Sequence, residues 1–144
     1  MGEPIILKDT LKLLIPNRDK NGKYINPKPV VQFLTEQAVN LFGGYQQATV
    51  NGGYKNSSDE ITLEKVYVVE ICFNSEQLAE FSMIVSTFII LLSRVLNQET
   101  AGYKVNSKLI LVPTDTSDIN LNHNLNASRN GLDCRVGRVR KAKR

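Results

Sequence analysis

Cysteine, histidine and tryptophan are scarce in this chain, and their scarcity excludes several classes of site. The 144 residues include two cysteines, one histidine and no tryptophan. Cys72 and Cys134 lie far apart and show no CxxC or Cys/His spacing, so the sequence predicts no structural zinc site. His123 lies in the polar segment LNHNLN, without a carboxylate or cysteine at the spacing of a metal site or catalytic triad. We expect a solvated histidine, no metal and no cofactor.

Targeting signals and catalytic fingerprints are also missing. No charged segment followed by an apolar run opens the chain, so the sequence predicts no signal peptide and a cytoplasmic location. The uncharged run from Phe81 to Ser93 is shorter than the roughly 20 residues of a membrane-spanning helix, and we expect no membrane partner. The GxSxG, HExxH, Walker and dinucleotide-binding patterns do not occur in the sequence.

Charge is unevenly distributed along the chain. Residues 129–144 hold seven basic side chains and one acidic side chain, a net charge of +6, whereas residues 1–128 hold 11 basic and 13 acidic ones, a net charge of −2. Clustered Arg and Lys bind phosphates in a salt-dependent way, so one hypothesis is a weak nucleic-acid contact through the tail; a solubilising terminus is the alternative. The residues that would make this contact are Arg135, Arg138, Arg140, Lys141, Lys143 and Arg144.

Hydrophobic periodicity predicts four strands and two helices. Alternating apolar residues indicate strands, and apolar residues three and four apart indicate helices. Pro16 ends the first strand, Gly43-Gly44 ends the first helix, and Ser75 is the expected N-cap of the second helix, which is apolar nearly all round. The predicted strands are residues 7–15, 45–51, 60–73 and 103–112, and the predicted helices are residues 28–42 and 76–97.

This order of elements predicts an α+β fold, the ferredoxin-like βαββαβ sandwich, with an antiparallel sheet and two helices on one face. The domain would comprise residues 1–113, followed by a flexible extension, Asn-rich and then basic, in residues 114–144. The first and third strands would be neighbours, so we expect Lys12 and Glu70 to lie close enough to pair on the face away from the helices. Because the second helix is apolar nearly all round, we expect another subunit to cover part of it in a homo-oligomer.

Two glycine pairs suggest phosphate-binding loops, but the sequence favours structural roles for both. A phosphate site needs a Gly-rich segment that leads into a helix N-terminus, whereas Gly43-Gly44 follows a helix. Gly52-Gly53 follows Asn51, and Asn-Gly is a strong turn signal. We therefore interpret the first pair as a helix C-cap and the second as a hairpin turn.

The open face of the sheet, away from the helices, holds the candidate ligand-binding residues. If the side chains that alternate with Phe73 point away from the helices, one outward row would carry Tyr45, Gln47, Thr49, Glu64 and Glu70. A carboxylate in such a row serves as a general base or binds a cation. The structural alternative is a half-buried face closed by a second subunit, in which Glu70 and Lys12 neutralise each other.

The run from Phe42 to Thr49, the pair Gly53-Tyr54 and the strand after Glu64 resemble a known pattern. Small uncharacterised bacterial and phage proteins of ferredoxin-like fold show FGG, a nearby Thr, and then a Gly-aromatic pair before a Glu-bearing strand. The resemblance covers about residues 10–112 and departs from the pattern in Tyr54, where Trp is common, and in the basic tail. It implies the same fold and a shared site at Thr49, Tyr54 and Glu64, and it brings no established activity.

These observations favour a non-enzymatic homo-oligomeric protein that holds a small ligand or a protein partner on the sheet face or at the subunit junction. A nucleic-acid-associated accessory protein that uses the basic tail is the second hypothesis. The third is a small dimeric ferredoxin-like enzyme with Glu70 or Glu64 as its base. The predicted ligand-binding residues are Tyr45, Gln47, Thr49, Tyr54, Glu64 and Glu70.

Overall fold

A computed structural model describes residues 2–55 and 58–114 of the protein. The strands are β1 (Asp9–Pro16), β2 (Gln46–Lys55), β3 (Ile61–Phe73), β4 (Thr100–Val105) and β5 (Lys108–Pro113). The helices are α1 (Lys28–Phe42) and α2 (Leu78–Arg94), and the 3₁₀ turn Ser75–Gln77 leads into α2. The predicted flexible extension falls outside the described residues, apart from Thr114.

The five strands form one antiparallel sheet in the order β2-β3-β1-β4-β5. The first four follow the ferredoxin-like order, and both helices pack on one face, which confirms the predicted α+β class. The single strand predicted over residues 103–112 is wrong, because Asn106, at a φ of 57°, turns the chain back on itself. Asn106 accepts a hydrogen bond from the Thr10 N–H at 3.0 Å and donates one to the Thr10 carbonyl at 2.8 Å, so β1 holds this turn in place.

The register between the central strands agrees with the sequence-based expectation. Lys12 of β1 lies directly opposite Glu70 of β3, as expected, but the two side chains do not form the expected ion pair. Residues 11, 13 and 15 of β1 face the helices, as do residues 69, 71 and 73 of β3, and all of them are fully buried. Even-numbered residues of β1 and β3 therefore point to the open face, which no helix covers.

The turn predicted at Asn51-Gly52 is wrong. Gly52 and Gly53 lie inside β2, opposite Glu64 and Leu63 of β3, and neither glycine has a positive φ. A Cβ atom at Gly53 would lie 3.3 Å from Cδ2 of Leu63, so the glycine permits close contact with the neighbouring strand. The strand pair is long enough to continue to Lys55, opposite Ile61.

Capping residues mark the end of α1 and the start of the segment that leads into α2. Helix α1 has the predicted bounds and ends at Gly43, whose φ of 92° suits glycine and whose N–H bonds to the Val39 carbonyl at 2.9 Å. The segment before α2 is capped at Asn74 rather than at the predicted Ser75. The Asn74 N–H donates to Oε1 of Gln77 at 3.1 Å, and the Gln77 N–H donates to the Asn74 carbonyl at 2.9 Å.

Helix α2 is the central core element. Its segment Ser75–Arg94 is long and apolar enough to cross a membrane by length and composition alone. In the fold, six of its side chains pack in the core: Phe81, Ile84, Val85, Phe88, Ile89 and Leu92. The domain thus packs around this helix, and both the cytoplasmic location and the lack of a membrane partner stay predictions. Met83 remains 55% exposed, and the second subunit expected to cover this helix also stays a prediction.

Candidate active site

A largely apolar cleft lies on the open face, where β1 and β4 meet the loops at their ends. Its volume is about 480 Å³. The floor is apolar and consists of Leu14, Pro16, Val66, Gly102 and Leu111. The rim is charged and polar and consists of Arg18, Asp19, Lys20, Tyr54, Glu64, Gln98, Glu99 and Thr100. An apolar floor beside a few polar groups is the usual form of a small-molecule site.

The floor results from the register of three strands. Leu14 lies opposite Val68 on one side and Gly102 on the other, and Pro16 lies opposite Val66. A Cβ atom on Gly102 would lie 3.1 Å from Cδ2 of Leu111. Because glycine has no side chain, it leaves room for Leu111 to lie over the sheet and to form one wall of the cleft.

Arg18 is held rigidly at one end of the cleft. Its Nε donates to the Leu63 carbonyl at 2.7 Å, one Nη to the Gly22 carbonyl at 2.8 Å, and the other Nη to Oη of Tyr24 at 2.6 Å. The guanidinium carbon also lies 3.9 Å from the centre of the Tyr24 ring. A guanidinium has five N–H donors, so two remain for a ligand.

Asp19 organises the loop that carries Arg18. Its Oδ1 accepts hydrogen bonds from the N–H groups of Lys23 at 2.9 Å and Asn21 at 2.8 Å, and Oδ2 accepts one from Nδ2 of Asn97 at 3.3 Å. The bond from Lys23, then those from Asn21 and Asn97, lower the pKa of Asp19 against the opposing effect of burial. Since its oxygens already have these partners, Asp19 shapes the rim rather than binding a ligand.

The opposite rim, residues 98–100, is tied to the same loop. Nε2 of Gln98 donates to the Arg18 carbonyl at 2.6 Å and to the Leu96 carbonyl at 3.1 Å. The Thr114 N–H donates to the Glu99 carbonyl at 3.0 Å, and the Thr114 hydroxyl donates to the Gln98 carbonyl. These bonds fix the backbone of Glu99 and leave its exposed carboxylate at the cleft edge.

Glu64 is the carboxylate best placed to meet a ligand. It is half-buried on β3, borders the cleft, and also borders a second depression of about 480 Å³ that includes Arg18, Tyr24 and Gly52. Desolvation raises the pKa of Glu64, and the positive charge of Arg18 partly offsets this effect. A half-buried carboxylate beside a fixed cation and the aromatic ring of Tyr54 can accept hydrogen bonds from hydroxyl or ammonium groups.

The structure divides the six predicted ligand-binding residues between different surfaces. Tyr54 and Glu64 border the cleft, and Glu70 lies farther along the open face beside a shallow depression of about 380 Å³. Gln47 and Thr49 lie opposite Val69 and Tyr67, at register positions that face the helices, although Gln47 also borders the depression beside Glu70. The single outward row predicted from the sequence is therefore wrong, although ligand binding by these residues stays a prediction.

The error arose from reading β2 as a strand with one buried side. An outward row of Tyr45, Gln47 and Thr49 requires the alternating residues Ala48 and Val50 to face the helices. Pairing with Val68 and Val66 instead places these two residues on the open face. Since β2 is an edge strand and is exposed along nearly its whole length, its alternation of polar and apolar residues does not report which side is buried. Tyr45, which precedes β2, borders a depression of about 350 Å³ against α1.

Sequence reasoning missed Arg18 and Glu99 as site residues. Arg18 was assigned to a polar loop, and no local pattern distinguishes it from the other basic residues there. Pro16 is the one useful signal, because it ends a central strand and so places the residues that follow it, including Arg18, at the end of the sheet.

In the described part of the chain, no group of three His, Cys, Asp or Glu residues could hold a metal ion. The basic tail and His123 lie outside the described residues, and the tail contact stays a prediction.

Comparison with known proteins identifies the fold. No family model and no curated protein matches the chain. A solved phage SAM lyase in complex with S-methyl-5′-thioadenosine superposes with a TM-score of 0.58 at 11% identity, covering 78% of this chain and 95% of the lyase. The same kind of lyase in its apo state gives a TM-score of 0.57 at 12% identity, covering 81% of this chain and 98% of the lyase.

This likeness shows a shared fold that extends over nearly the whole of the lyase chains. It contradicts the prediction of a non-enzymatic binding protein, because the two similar solved structures named above are enzymes. The expectation that the protein is not an enzyme is corrected on the same ground. The comparisons do not bear on the resemblance carried by the FGG and Gly-Tyr motifs, which stays a prediction.

Proposed function

We propose that the protein is a carbon–sulfur lyase that cleaves S-adenosylmethionine and releases S-methyl-5′-thioadenosine. The observation that carries this proposal is the open-face cleft, in which Tyr54, Glu64 and an apolar floor lie together on a fold shared with phage SAM lyases. Such a cleft suits a ligand that combines an aromatic base, a sugar with hydroxyl groups and a soft cation.

Each part of an adenosyl sulfonium has a chemical counterpart in the cleft. The adenine ring would stack on Tyr54, a residue that is 40% exposed. The ribose hydroxyls would donate to Glu64, and the two free N–H groups of Arg18 would reach acceptor nitrogens of the base. The sulfonium would then lie above Pro16, Val66 and Leu14, which bring no charge of their own to the floor.

The apolar floor favours the bond cleavage itself. When the carbon–sulfur bond breaks, its electron pair passes to sulfur, the positive charge on sulfur disappears and a neutral thioether leaves. In the proposed reaction, an oxygen of the substrate's own carboxylate attacks the γ-carbon as the bond from that carbon to sulfur breaks. The new carbon–oxygen bond closes a five-membered lactone, so no water or acceptor is consumed. An environment that solvates cations poorly favours a transition state in which this charge is being lost.

The test is turnover of S-adenosylmethionine by the purified full-length protein, with S-methyl-5′-thioadenosine measured by reversed-phase chromatography. We expect product with the wild type and a fall in kcat/KM of roughly 10- to 100-fold for Glu64→Gln, because a charge-assisted hydrogen bond contributes about 1.5–3 kcal/mol. Glu36→Gln on the exposed surface of α1 is the matched control. A folded wild type that forms no S-methyl-5′-thioadenosine would overturn the proposal.

The homo-oligomer expected from the sequence is kept here as part of the proposal. Leu109 and Leu111 of β5 are 52% and 63% exposed, and Val50 of β2 is 46% exposed. All three lie on the open face, at its two edges. A second copy would bury this apolar surface beside the cleft. Native mass spectrometry tests this point: a multiple of the subunit mass supports it, and a monomer at all concentrations contradicts it.

A further inference from the structure

Beyond the cleft, a row of charged side chains crosses the open face. The strand register places Glu70 of β3, Lys12 of β1 and Lys104 of β4 side by side, with Gln46 of β2 at one end. Neighbouring strands lie about 4.8 Å apart, so the three charged groups span two inter-strand spacings. Their order across the sheet is one carboxylate followed by two ammonium groups.

This row is not neutralised within the sheet. Lys12 and Lys104 are directly opposite each other, and like charges at such positions are destabilising. Among the residues that the structure describes, Lys55 and Asp59 form an ion pair, but Glu70 forms none with Lys12. The sheet therefore keeps two adjacent cations and one carboxylate available on a face that also holds the cleft.

The row is the direct continuation of the cleft floor. Leu14 and Gly102, which belong to the floor, lie two residues beyond Lys12 and Lys104 on the same strands. Two residues of a strand span about 7 Å. A ligand whose base lies near Tyr54 and whose sulfonium lies over Leu14 would place its next few atoms at this row.

We propose that Lys12, Lys104 and Glu70 recognise the zwitterionic amino-acid end of the substrate. This inference rests on the proposed function and adds the residues that select the substrate. The α-carboxylate would bind between the two lysines, and the α-ammonium would bind Glu70. A phosphate or another dianion fits less well, because Glu70 would repel it. The product S-methyl-5′-thioadenosine lacks the amino-acid end, so it keeps only the contacts of the cleft and leaves more readily than the substrate.

The experiment compares ligands that share the nucleoside and differ at this end. Steady-state kinetics give kcat and KM of the full-length protein for S-adenosylmethionine, which the proposed lyase consumes. Equilibrium dialysis gives the affinity for the decarboxylated analogue and for S-methyl-5′-thioadenosine. We expect Lys12→Met combined with Lys104→Met to weaken binding of S-adenosylmethionine, and so to raise its KM, at least roughly 10-fold, the effect of losing one charge-assisted hydrogen bond. The affinity for S-methyl-5′-thioadenosine should not change. Glu70→Gln should weaken S-adenosylmethionine and its decarboxylated analogue alike, because both retain the ammonium.

The controls separate the outcomes. Lys28→Met removes an exposed lysine at the start of α1, on the helix side of the sheet, and should change neither the KM nor the affinities. A KM for S-adenosylmethionine and affinities for the other two ligands that stay in the wild-type ratio in the double lysine variant would overturn the inference while leaving the lyase proposal intact. A folded wild type that neither turns over S-adenosylmethionine nor binds the other two ligands would overturn both. Far-ultraviolet circular dichroism checks folding, and Lys104→Met alone, at an exposed position, provides a second variant if the double variant unfolds.

Discussion

The two faces of this sheet are built from alternate residues of the same strands, yet they serve different ends. On β1, Leu11, Leu13 and Ile15 face the helices and are fully buried, whereas Lys12, Leu14 and Pro16 face the open side and are half-buried. The helix-covered face is closed and apolar. The open face combines an apolar floor with charged groups at its ends. Adjacent residues of one strand thus have different roles: one side chain stabilises the core, and the next lies on the face that holds the candidate site.

A similar contrast exists between two carboxylates beside the cleft. Asp19 accepts three hydrogen bonds from its own loop and from Asn97, which lower its pKa. Glu64 is desolvated, which raises its pKa. The first carboxylate is satisfied by the fold, and the second retains unused acceptor capacity. We therefore assign structure to Asp19 and ligand binding to Glu64.

The largest expected effect is on the free energy of unfolding, and it distinguishes two neighbouring leucines that lie on opposite faces of β1. Leu13→Ala should lower the free energy of unfolding by about 2–5 kcal/mol, because it leaves a cavity in a closed core. Leu14→Ala should lower it by about 1 kcal/mol or less, because its side chain is already partly in water. Urea unfolding followed by circular dichroism measures both. Equal losses for the two variants would show that the open face is as important for stability as the core.

A smaller effect is expected at Asp19 in acid. Its folded-state pKa lies below the ordinary value of 3.8, so its stabilising contribution is present above that value and is lost as pH falls through the folded-state pKa. Thermal unfolding of Asp19→Asn near neutral pH should show a lower Tm than the wild type, and this difference should shrink in acid. Asp59→Asn is the matched control, since Asp59 is exposed and its ion pair with Lys55 at 3.5 Å lies on the surface. A difference independent of pH would contradict this role for Asp19.

The opposite sign is expected for Glu64. Its folded-state pKa is raised, so the folded state binds more protons than the unfolded state near that pKa, and stability falls as pH rises through this window. Glu64→Gln removes the charge and should leave the Tm at neutral pH equal to or slightly above that of the wild type, despite its loss of activity. A clear fall in Tm would reassign Glu64 to a structural role.

The smallest effect is expected at Gly102 on the cleft floor. A Cβ atom would come within 3.1 Å of Leu111 Cδ2, but Leu111 is exposed and can move, so Gly102→Ala should change the free energy of unfolding by about 0.5 kcal/mol or less. The displaced Leu111 would narrow the cleft and weaken S-methyl-5′-thioadenosine in equilibrium dialysis. Gly44→Ala, which meets nothing within 4 Å, should leave that affinity unchanged. Equal affinities of the two variants for S-methyl-5′-thioadenosine would show that the ligand does not bind over the cleft floor.

Much of the fold could be predicted because its central elements carry strong periodic patterns. Helix α1, strand β3 and the Lys12–Glu70 register follow from apolar spacing and from the order of elements. The β4–β5 turn could not be predicted, because Asn106 ends β4 through a left-handed backbone conformation inside an otherwise continuous apolar run. The direction of the β2 side chains could not be predicted, because both sides of this edge strand are exposed and its alternation of polar and apolar residues therefore does not indicate a buried face.

The site was only partly predictable for a related reason. Glu64 and Glu70 belong to a strand whose buried face is unambiguous, so their outward direction followed from its alternation. Arg18 and Glu99 come from loops at opposite ends of the sequence of elements. Gln98 joins those loops with a hydrogen bond of 2.6 Å, and local sequence carries no signal for such a long-range contact.

The most direct test of the central claim is to locate S-methyl-5′-thioadenosine on the isotope-labelled protein by amide chemical-shift mapping. We expect the amide signals of Leu14, Val66 and Gly102 to shift on titration with this nucleoside, together with that of Glu64. The amides of Thr35 in α1 should not shift, because this helix lies on the other face. Shifts confined to the helix face, with none at the cleft floor, would contradict the assignment of the open face as the active site.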